Sequence, residues 1–161
     1  MKLASVLMCI GCVAITAVVR ADAPPGQYAP FDQNNSTIVD NFTGLTWQRA
    51  ANASATWISA KSACSGMGMR LPTLKELLTL VDESPHVEYI GGVNVSKMID
   101  RDAFPNTDVA VPYWTLTPAQ RSGALVQKAF TVSFSTGLTG TGGTDLSFLD
   151  HVDSFHYRCV K

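Results

Sequence analysis

The segment from Arg70 to Asp82 constrains the fold more than any other part of the chain. Thr73 and Glu76 have the spacing of a capping box, in which each side chain hydrogen-bonds to a backbone N–H at the start of a helix. Apolar residues then recur along one helical face: Leu74, Leu77, Leu78 and Val81. This pattern predicts an amphipathic helix of about three turns that ends before Pro85.

The first 21 residues have the pattern of a secretory signal peptide. Lys2 gives a positively charged start, a largely apolar run extends from Leu3 to Val19, and Val19-Arg20-Ala21 offers small residues for cleavage after Ala21. The alternatives are a membrane anchor, for which the apolar stretch is short, and a lipoprotein signal ending at Cys12. The chain is therefore divided into a signal peptide (1–21), a leader segment (22–36) and one domain (37–161).

Charge and size restrict the classes of partner. Without the predicted signal peptide the chain keeps 10 basic and 13 acidic residues, a net charge near −3. That charge has the wrong sign for a nucleic-acid-binding protein. The remaining length, about 140 residues, suits one domain with its own core. We expect an exported domain, periplasmic or secreted, with no membrane span and no nucleic-acid partner.

Cys64 and Cys159 are the two cysteines outside the predicted signal peptide. An even number of cysteines in an exported chain indicates a disulfide. Such a bond closes a loop of roughly 95 residues and contributes about 4 kcal/mol on the chain-entropy account. A metal pair or a redox pair is the alternative, but these two cysteines form no CxxC motif and are too few for a zinc site.

The start of the domain predicts a β-hairpin. Short strands are expected around 38–39 and 45–49, because turn-forming residues occupy 40–44 between them. Trp47 is expected in the core as a large aromatic side chain.

The next segment predicts the first helix. Residues 54–63 have helical composition, and the helix is expected to end at Ser65 and Gly66. One face carries residues at i, i+3 and i+7: Trp57, Ala60 and Cys64. Cys64 is therefore expected on the buried side of this helix.

Irregular segments and strands fill the rest of the chain. Little periodicity is present from 84 to 112, and the glycine-rich segment 137–144 reads as a flexible loop that matches no phosphate-binding motif. Alternating apolar residues and aromatic clusters predict strands at 113–117, 129–135 and 155–160. This order favours an α+β domain in which two helices pack on an antiparallel sheet, with long irregular loops.

Several motifs in a fixed order resemble the Lcl C-terminal domain family, a bacterial domain of unknown function that is found in the Legionella collagen-like adhesin. The motifs are DNFTGLTWQ at 40–48, Cys64, RLPTLKEL at 70–77, FPNT at 104–107, YWTLTP at 113–118 and YRCV at 157–160. Together they cover roughly residues 38–161, nearly all of the predicted domain.

The resemblance implies a C-type-lectin-like fold, similar to that of the sulfatase-modifying factors, and a binding role rather than an enzymatic one. It also implies that Arg70 is a buried or half-buried anchor that makes charge-assisted hydrogen bonds and is not catalytic. The adhesin domain binds sulfated glycosaminoglycans. Only the binding role is expected to transfer, because this chain is acidic and its sequence shows no collagen-like repeat. The residues to which we assign structural roles are Trp47, Trp57, Arg70, Thr73 and Glu76.

Aromatic and polar residues beside the long loop are the ligand-binding candidates. Tyr113 and Trp114 are adjacent, so on a strand they face opposite sides. One belongs in the core, and the other either covers the sheet or stacks against a sugar ring. Asn106 and Asp108, in the loop itself, complete the set.

An acidic cluster near the C-terminus suits calcium. Its carboxylates are Asp145, Asp150 and Asp153. Ca²⁺ prefers oxygen ligands, which loops rich in such residues supply. No fixed ligand spacing is present, and loop carboxylates commonly cap turns. No other cofactor is expected.

The sequence gives no motif for nucleophilic catalysis. A Ser-His-Asp triad would draw on His86, His151 or His156, but no GxSxG motif accompanies them. The leading hypothesis is an exported, non-enzymatic binding domain that presents the loops 85–112 and 137–153 to a glycan or a protein partner, as an adhesin does. The alternative is a structural or envelope-assembly module without a small ligand, and hydrolysis is the least favoured.

Overall fold

A computed structural model of the chain describes residues 23–30, 34, 36–119, 128–143 and 153–161. These residues form ten strands and two helices. The strands are β1 (Tyr28–Pro30), β2 (Thr37–Asp40), β3 (Thr46–Gln48), β4 (Asn52–Ala55), β5 (His86–Ile90), β6 (Val93–Lys97), β7 (Tyr113–Pro118), β8 (Lys128–Val132), β9 (Thr139–Gly143) and β10 (Phe155–Tyr157). The helices are α1 (Trp57–Gly66) and α2 (Leu74–Leu78). The domain is α+β and mostly sheet, as the sequence predicts.

The described strands form three sheets. One has the order β1-β2-β3, the second β4-β10-β7-β8-β9, and the third is the β5–β6 hairpin. The prediction of an antiparallel sheet is wrong at one place, because β10 runs parallel to β7. Val160, beyond β10, makes isolated bridges to Trp47 of β3 and to Arg70. The predicted β2–β3 hairpin is confirmed, and β1, inside the predicted leader segment, adds a strand to it.

The five-stranded sheet separates two apolar clusters. Tyr113 belongs to the larger cluster and Trp114 to the smaller one, so the prediction that adjacent residues face opposite sides is confirmed. Trp47 is buried in the larger cluster, as predicted. Gly142 lets β9 approach the smaller cluster closely, because a Cβ there would come closer than 3.0 Å to Trp114 and Phe155.

The predicted disulfide between Cys64 and Cys159 is confirmed. It joins α1 to the chain beyond β10, with a sequence separation of 95. Both cysteines are fully buried in the smaller cluster. Trp57, at the start of α1, is half-buried there, and its Nε1 donates to the carbonyl of Thr115 at 2.8 Å. These contacts fix α1 to the five-stranded sheet.

Both helices differ in extent from their predictions. The first starts at Trp57 and not at 54, because Thr56 is the N-cap and accepts the N–H of Ser59. The capping box of Thr73 and Glu76 is confirmed, yet α2 has only five residues. Its continuation is tightened into i→i+3 hydrogen bonds, the last from the Val81 N–H to the carbonyl of Leu78. The predicted three turns are therefore wrong, although the apolar stripe still packs on the larger cluster.

Two segments that the sequence predicts as loops contain strands. Residues 86–97, expected to be irregular, form a hairpin whose turn residues Gly91 and Gly92 have φ angles of 59° and 90°. Such left-handed positions suit glycine and give a turn that matches the strand twist. Residues 139–143, expected to be flexible, form β9 and pair with β8 over five residues.

Candidate functional site

The loop of residues 98–112 has no helix or strand but is anchored by buried side chains. We call this segment the 98–112 loop. Its buried members are Ile99, Ala103, Phe104, Thr107 and Val109. Asp100 shapes its first turn, since Oδ1 accepts the N–H groups of Asp102 and Ala103 at 2.9 and 2.7 Å. The loop is therefore part of the core on one side and solvent-facing on the other.

Arg158 lies beneath this loop and is fully buried. Its Nη1 donates to the carbonyl of Gln48 at 2.6 Å and to that of Arg49, and its Nη2 donates to Oγ1 of Thr107 at 2.9 Å. The guanidinium carbon also lies 4.6 Å from the ring centroid of Phe104. Arg158 thus ties the end of β3 to the loop.

The charge of Arg158 is poorly compensated. Burial lowers the pKa of Arg158 to about 10, because its guanidinium is removed from water, and the nearby Tyr113 and Tyr28 hydroxyls only partly offset this. The same desolvation raises the pKa of Tyr113 to about 12. In the part of the chain that the structure describes, Nε of Arg158 has no hydrogen-bond partner. A fully buried guanidinium whose charge is poorly compensated is unusual in a small domain.

Arg49 supports the same loop from the edge. Its Nε donates to the carbonyl of Ala103 at 2.9 Å, and its Nη2 donates to that of Asp102 at 2.5 Å. Arginine suits this role, because its planar fork can reach two successive carbonyl groups. Two arginines, one directly after β3 and one directly after β10, therefore hold residues 102–107.

A cavity of about 390 Å³ opens beside the loop. Its walls come from β2, β3, the turn after α1, the loop and Lys161. The polar lining includes Ser36, Thr37, Gln48, Arg49 and Asn106, and the apolar lining includes Met67, Met69 and Pro105. This volume lies in the range of small-ligand sites. Asn106 is the one non-glycine residue of the described chain with a left-handed backbone, at a φ of 58°.

Asp108 serves mainly to support the loop. Its Oδ1 accepts the Ala110 N–H at 2.8 Å, its Oδ2 lies 3.2 Å from Nε2 of His156, and its carbonyl accepts the Tyr113 hydroxyl at 2.8 Å. The pKa of Asp108 is lowered, chiefly by the hydrogen bond from Ala110. The carboxylate is still more than half exposed, so it remains accessible at the surface.

Ser54, His156 and Asp108 form a chain of polar contacts. Oγ of Ser54 lies 3.4 Å from Nδ1 of His156, whose Nε2 faces Asp108. In a catalytic triad the serine faces Nε2 and the aspartate faces Nδ1, so this order is reversed. Ser54 also lies within strand β4, not on the sharp turn that exposes the nucleophile of α/β-hydrolases. We therefore keep the non-enzymatic interpretation as a proposal.

Tyr113 and Trp114 lie in the core. Both side chains are buried, with 0% of their surface exposed. The Tyr113 ring packs edge-on against Phe134, and Trp114 Nε1 donates to the carbonyl of Ala55 at 2.8 Å. Neither ring has a face open for a sugar. Of the four candidates, only Asn106 lines the cavity of about 390 Å³ and Asp108 lies at the surface nearby.

Arg70 is a partly buried anchor, as the resemblance implies. Its Nη1 and Nη2 donate to the two carboxylate oxygens of Glu76, both at 2.7 Å. Glu76 also accepts the Thr73 N–H at 2.7 Å. The pKa of Glu76 is lowered to about 2, mainly by the hydrogen bonds from Arg70. This pair fixes the start of α2 to the bridge between Arg70 and Val160.

The calcium candidates fall mostly outside the described residues. Asp145 and Asp150 lie in a segment that the structure does not describe, and Asp153 is exposed beside it. Among the residues described, no group of three or more His, Cys, Asp or Glu side chains could hold a metal ion. The calcium prediction therefore stays a prediction.

The β5–β6 hairpin carries a second surface feature. Its exposed apolar side chains are Val87, Tyr89, Ile90 and Val93, with Tyr89 76% exposed. By the strand register, Val87 and Tyr89 lie on one face, whereas Ile90 and Val93 share the other face with Glu88, Val95 and Lys97. On this second face Nζ of Lys97 lies 2.8 Å from a carboxylate oxygen of Glu88. Val95 on that face packs against the larger cluster.

Residues 36–161 match the Lcl C-terminal domain family, so the chain belongs to that family. The match covers all the described elements except β1. A comparison with curated proteins gave no match, and neither did a comparison with solved structures. Within the described residues, no helix is long and apolar enough to cross a membrane.

Sequence reasoning missed both arginines of the loop support. The sequence assigns no site role to Arg49 or Arg158, since a basic residue near a strand end usually points to solvent. A signal was present for Arg158, since it stands between Tyr157, Cys159 and Val160 in a segment expected to be a strand. A charged residue between residues that are expected in the core indicates a side chain that is buried and hydrogen-bonded within the fold.

Proposed function

We propose that this chain is an exported, non-enzymatic binding domain that holds a glycan or a protein partner at the 98–112 loop. The observation that carries the proposal is the cavity at Asn106, bounded by an irregular loop that is anchored from below. Irregular segments positioned by a rigid scaffold are common binding elements. The polar lining can exchange hydrogen bonds with hydroxyl groups, and Met69 and Pro105 offer apolar contact.

The finer features of the family belong to the same proposal. A C-type-lectin-like fold is supported by two short helices, a long irregular segment and a disulfide between the first helix and the C-terminal residues. Export is supported by that disulfide and by the signal-peptide pattern of residues 1–21. Adhesion is a role that such a domain can serve.

A glycan array is the direct test. The protein without residues 1–21, with its disulfide intact, is applied to neutral and acidic glycans in calcium and again in EDTA. Saturable binding in both buffers supports the proposed site. Binding that EDTA abolishes moves the site to the calcium candidates around 145–153. The absence of binding in both buffers rejects the glycan ligand and leaves a protein partner to be tested.

A matched pair of variants locates the site. Asn106→Gly removes the side-chain amide and retains a residue that adopts the left-handed backbone. We expect it to lower affinity roughly tenfold, the effect of losing one good hydrogen bond in a site. Asn94→Ala removes the same group from the exposed hairpin and is expected to bind as the wild type does. Equal affinities for all three proteins would contradict the location.

The exposed hairpin favours a second candidate function. Val87 and Tyr89, which share one face of the hairpin, would suit contact with another protein in an envelope-assembly module. In that case Tyr89→Ser would disrupt assembly and Asn106→Gly would not. Cross-linking of the two variants in the source envelope distinguishes the two functions.

A further inference from the structure

Arg158 combines complete burial with uncharged hydrogen-bond acceptors. Its acceptors are two backbone carbonyls and the Thr107 hydroxyl, and no carboxylate of the described residues bonds to it. Nε lacks a partner. Removing a guanidinium from water is unfavourable, and an apolar side chain of similar size is often as stable or more stable at such a position. Stability alone therefore does not explain an arginine here.

The contacts of Arg158 instead lie on both sides of Asn106. The guanidinium packs on the Phe104 ring and donates to Thr107. The Thr107 hydroxyl in turn donates to the carbonyl of Phe104 at 2.8 Å. These contacts close a compact turn across residues 104–107. Asn106 has its left-handed backbone within this turn.

We infer that Arg158 is a positioning residue that holds Asn106 and its cavity wall in the binding conformation before a ligand arrives. This inference rests on the proposed function, since it concerns the same site. The loop is already ordered when a ligand arrives. The affinity is therefore not reduced by a population of molecules in which the loop is disordered. Arg49 adds to this from the edge by holding the carbonyls of Asp102 and Ala103.

Hydrogen exchange measured by NMR tests the role without a ligand. The reporters are the amides of Asp102, Ala103 and Phe104, all of which donate to Asp100. The reference is the Leu116 amide of β7, which donates to the carbonyl of Pro72 at 2.6 Å. Arg158→Met keeps apolar bulk and removes the fork. Arg101→Met is the matched control, since Arg101 lies in the same loop and is 60% exposed.

We expect the loop amides of Arg158→Met to exchange at least about tenfold faster, with the Leu116 amide unchanged, because local opening is separate from global unfolding. Arg101→Met should match the wild type. Faster exchange at Leu116 by the same factor would make Arg158 a general structural residue and overturn the inference. Unchanged exchange at the loop would overturn it as well.

A second variant covers a failure of Arg158→Met to fold. Thr107→Val removes the acceptor of Nη2, together with the hydrogen bond from Thr107 to the Phe104 carbonyl, and leaves Arg158 in place. We expect the same selective loosening. The glycan found on the array then supplies the binding readout, with affinity falling in either variant and not in Arg101→Met. A wild-type protein that binds no glycan would reject the proposed glycan ligand, whereas the exchange result would still decide the role of Arg158.

Discussion

The β5–β6 hairpin and the 98–112 loop adjoin in the chain and are built in opposite ways. The hairpin pairs five residues of each strand in regular register, yet Val87, Tyr89 and Val93 are each at least 60% exposed. The loop has no regular element, yet Phe104 and Thr107 are almost fully buried. Buried side chains with specific partners, and not backbone regularity, set how firmly a segment is held.

The largest difference is expected from truncating one aromatic residue in each region. Phe104 is buried against Tyr28 and Arg158, so Phe104→Ala should lower the free energy of unfolding by about 3–5 kcal/mol. Tyr89→Ala in the hairpin should change it by less than about 0.5 kcal/mol. Denaturant unfolding of the disulfide-intact protein measures both. Similar losses for the two variants would contradict this difference between the loop and the hairpin.

Left-handed backbone positions give a smaller contrast. Asn106→Val places a β-branched residue at a φ of 58° and should destabilise the whole domain by about 1–2 kcal/mol. Gly91→Val strains the hairpin turn instead. It should leave the unfolding midpoint nearly unchanged while it weakens the cross-strand pairing, seen as altered chemical shifts in β5 and β6. A global loss from Gly91→Val would mean that the hairpin folds as one unit with the core.

The smallest effect is a pH dependence of the hairpin. The pKa of Glu88 is lowered, first by its hydrogen bond from Lys97. A lowered folded-state pKa stabilises the hairpin above the ordinary value of 4.5, and this contribution is lost as the pH falls below it. Because Glu88 remains partly exposed to solvent, the effect should be about 0.5 kcal/mol or less. Hairpin amide exchange corrected for the intrinsic pH dependence, compared with that of Glu88→Gln, measures it.

Local signals in the sequence predicted the local structure well. The capping box at Thr73 and Glu76 formed because both partners lie within one turn, and the disulfide followed from the count of cysteines. The hairpin of 86–97 was missed, although Gly91-Gly92 between alternating residues is a turn signal. The alternation is short, with Val87 and Tyr89 before the turn and Val93 and Val95 after it, so it does not stand out within the irregular segment 84–112.

The features of the candidate site depend on contacts that are distant in sequence. Arg158 meets Gln48 and Arg49 across separations of 110 and 109 residues, so no local pattern could reveal its partners. The sequence places Tyr113 and Trp114 on opposite faces of a strand, but it does not show that both faces are buried. The second apolar cluster forms only when α1 and β10 pack together with the sheet. The sequence predicts that Asn106 lies in a loop, but its position at a cavity can be seen only in the folded structure.

Hydrogen exchange of the wild-type protein tests the central claim most directly. The amides of Ala103 and Phe104 in the irregular loop are compared with the cross-strand amides of β5 and β6, under conditions in which exchange reports local opening. We predict that the loop amides exchange more slowly than those of the regular hairpin, because Phe104 and Arg158 anchor them. Loop amides that exchange faster than the hairpin amides would contradict a preformed binding loop.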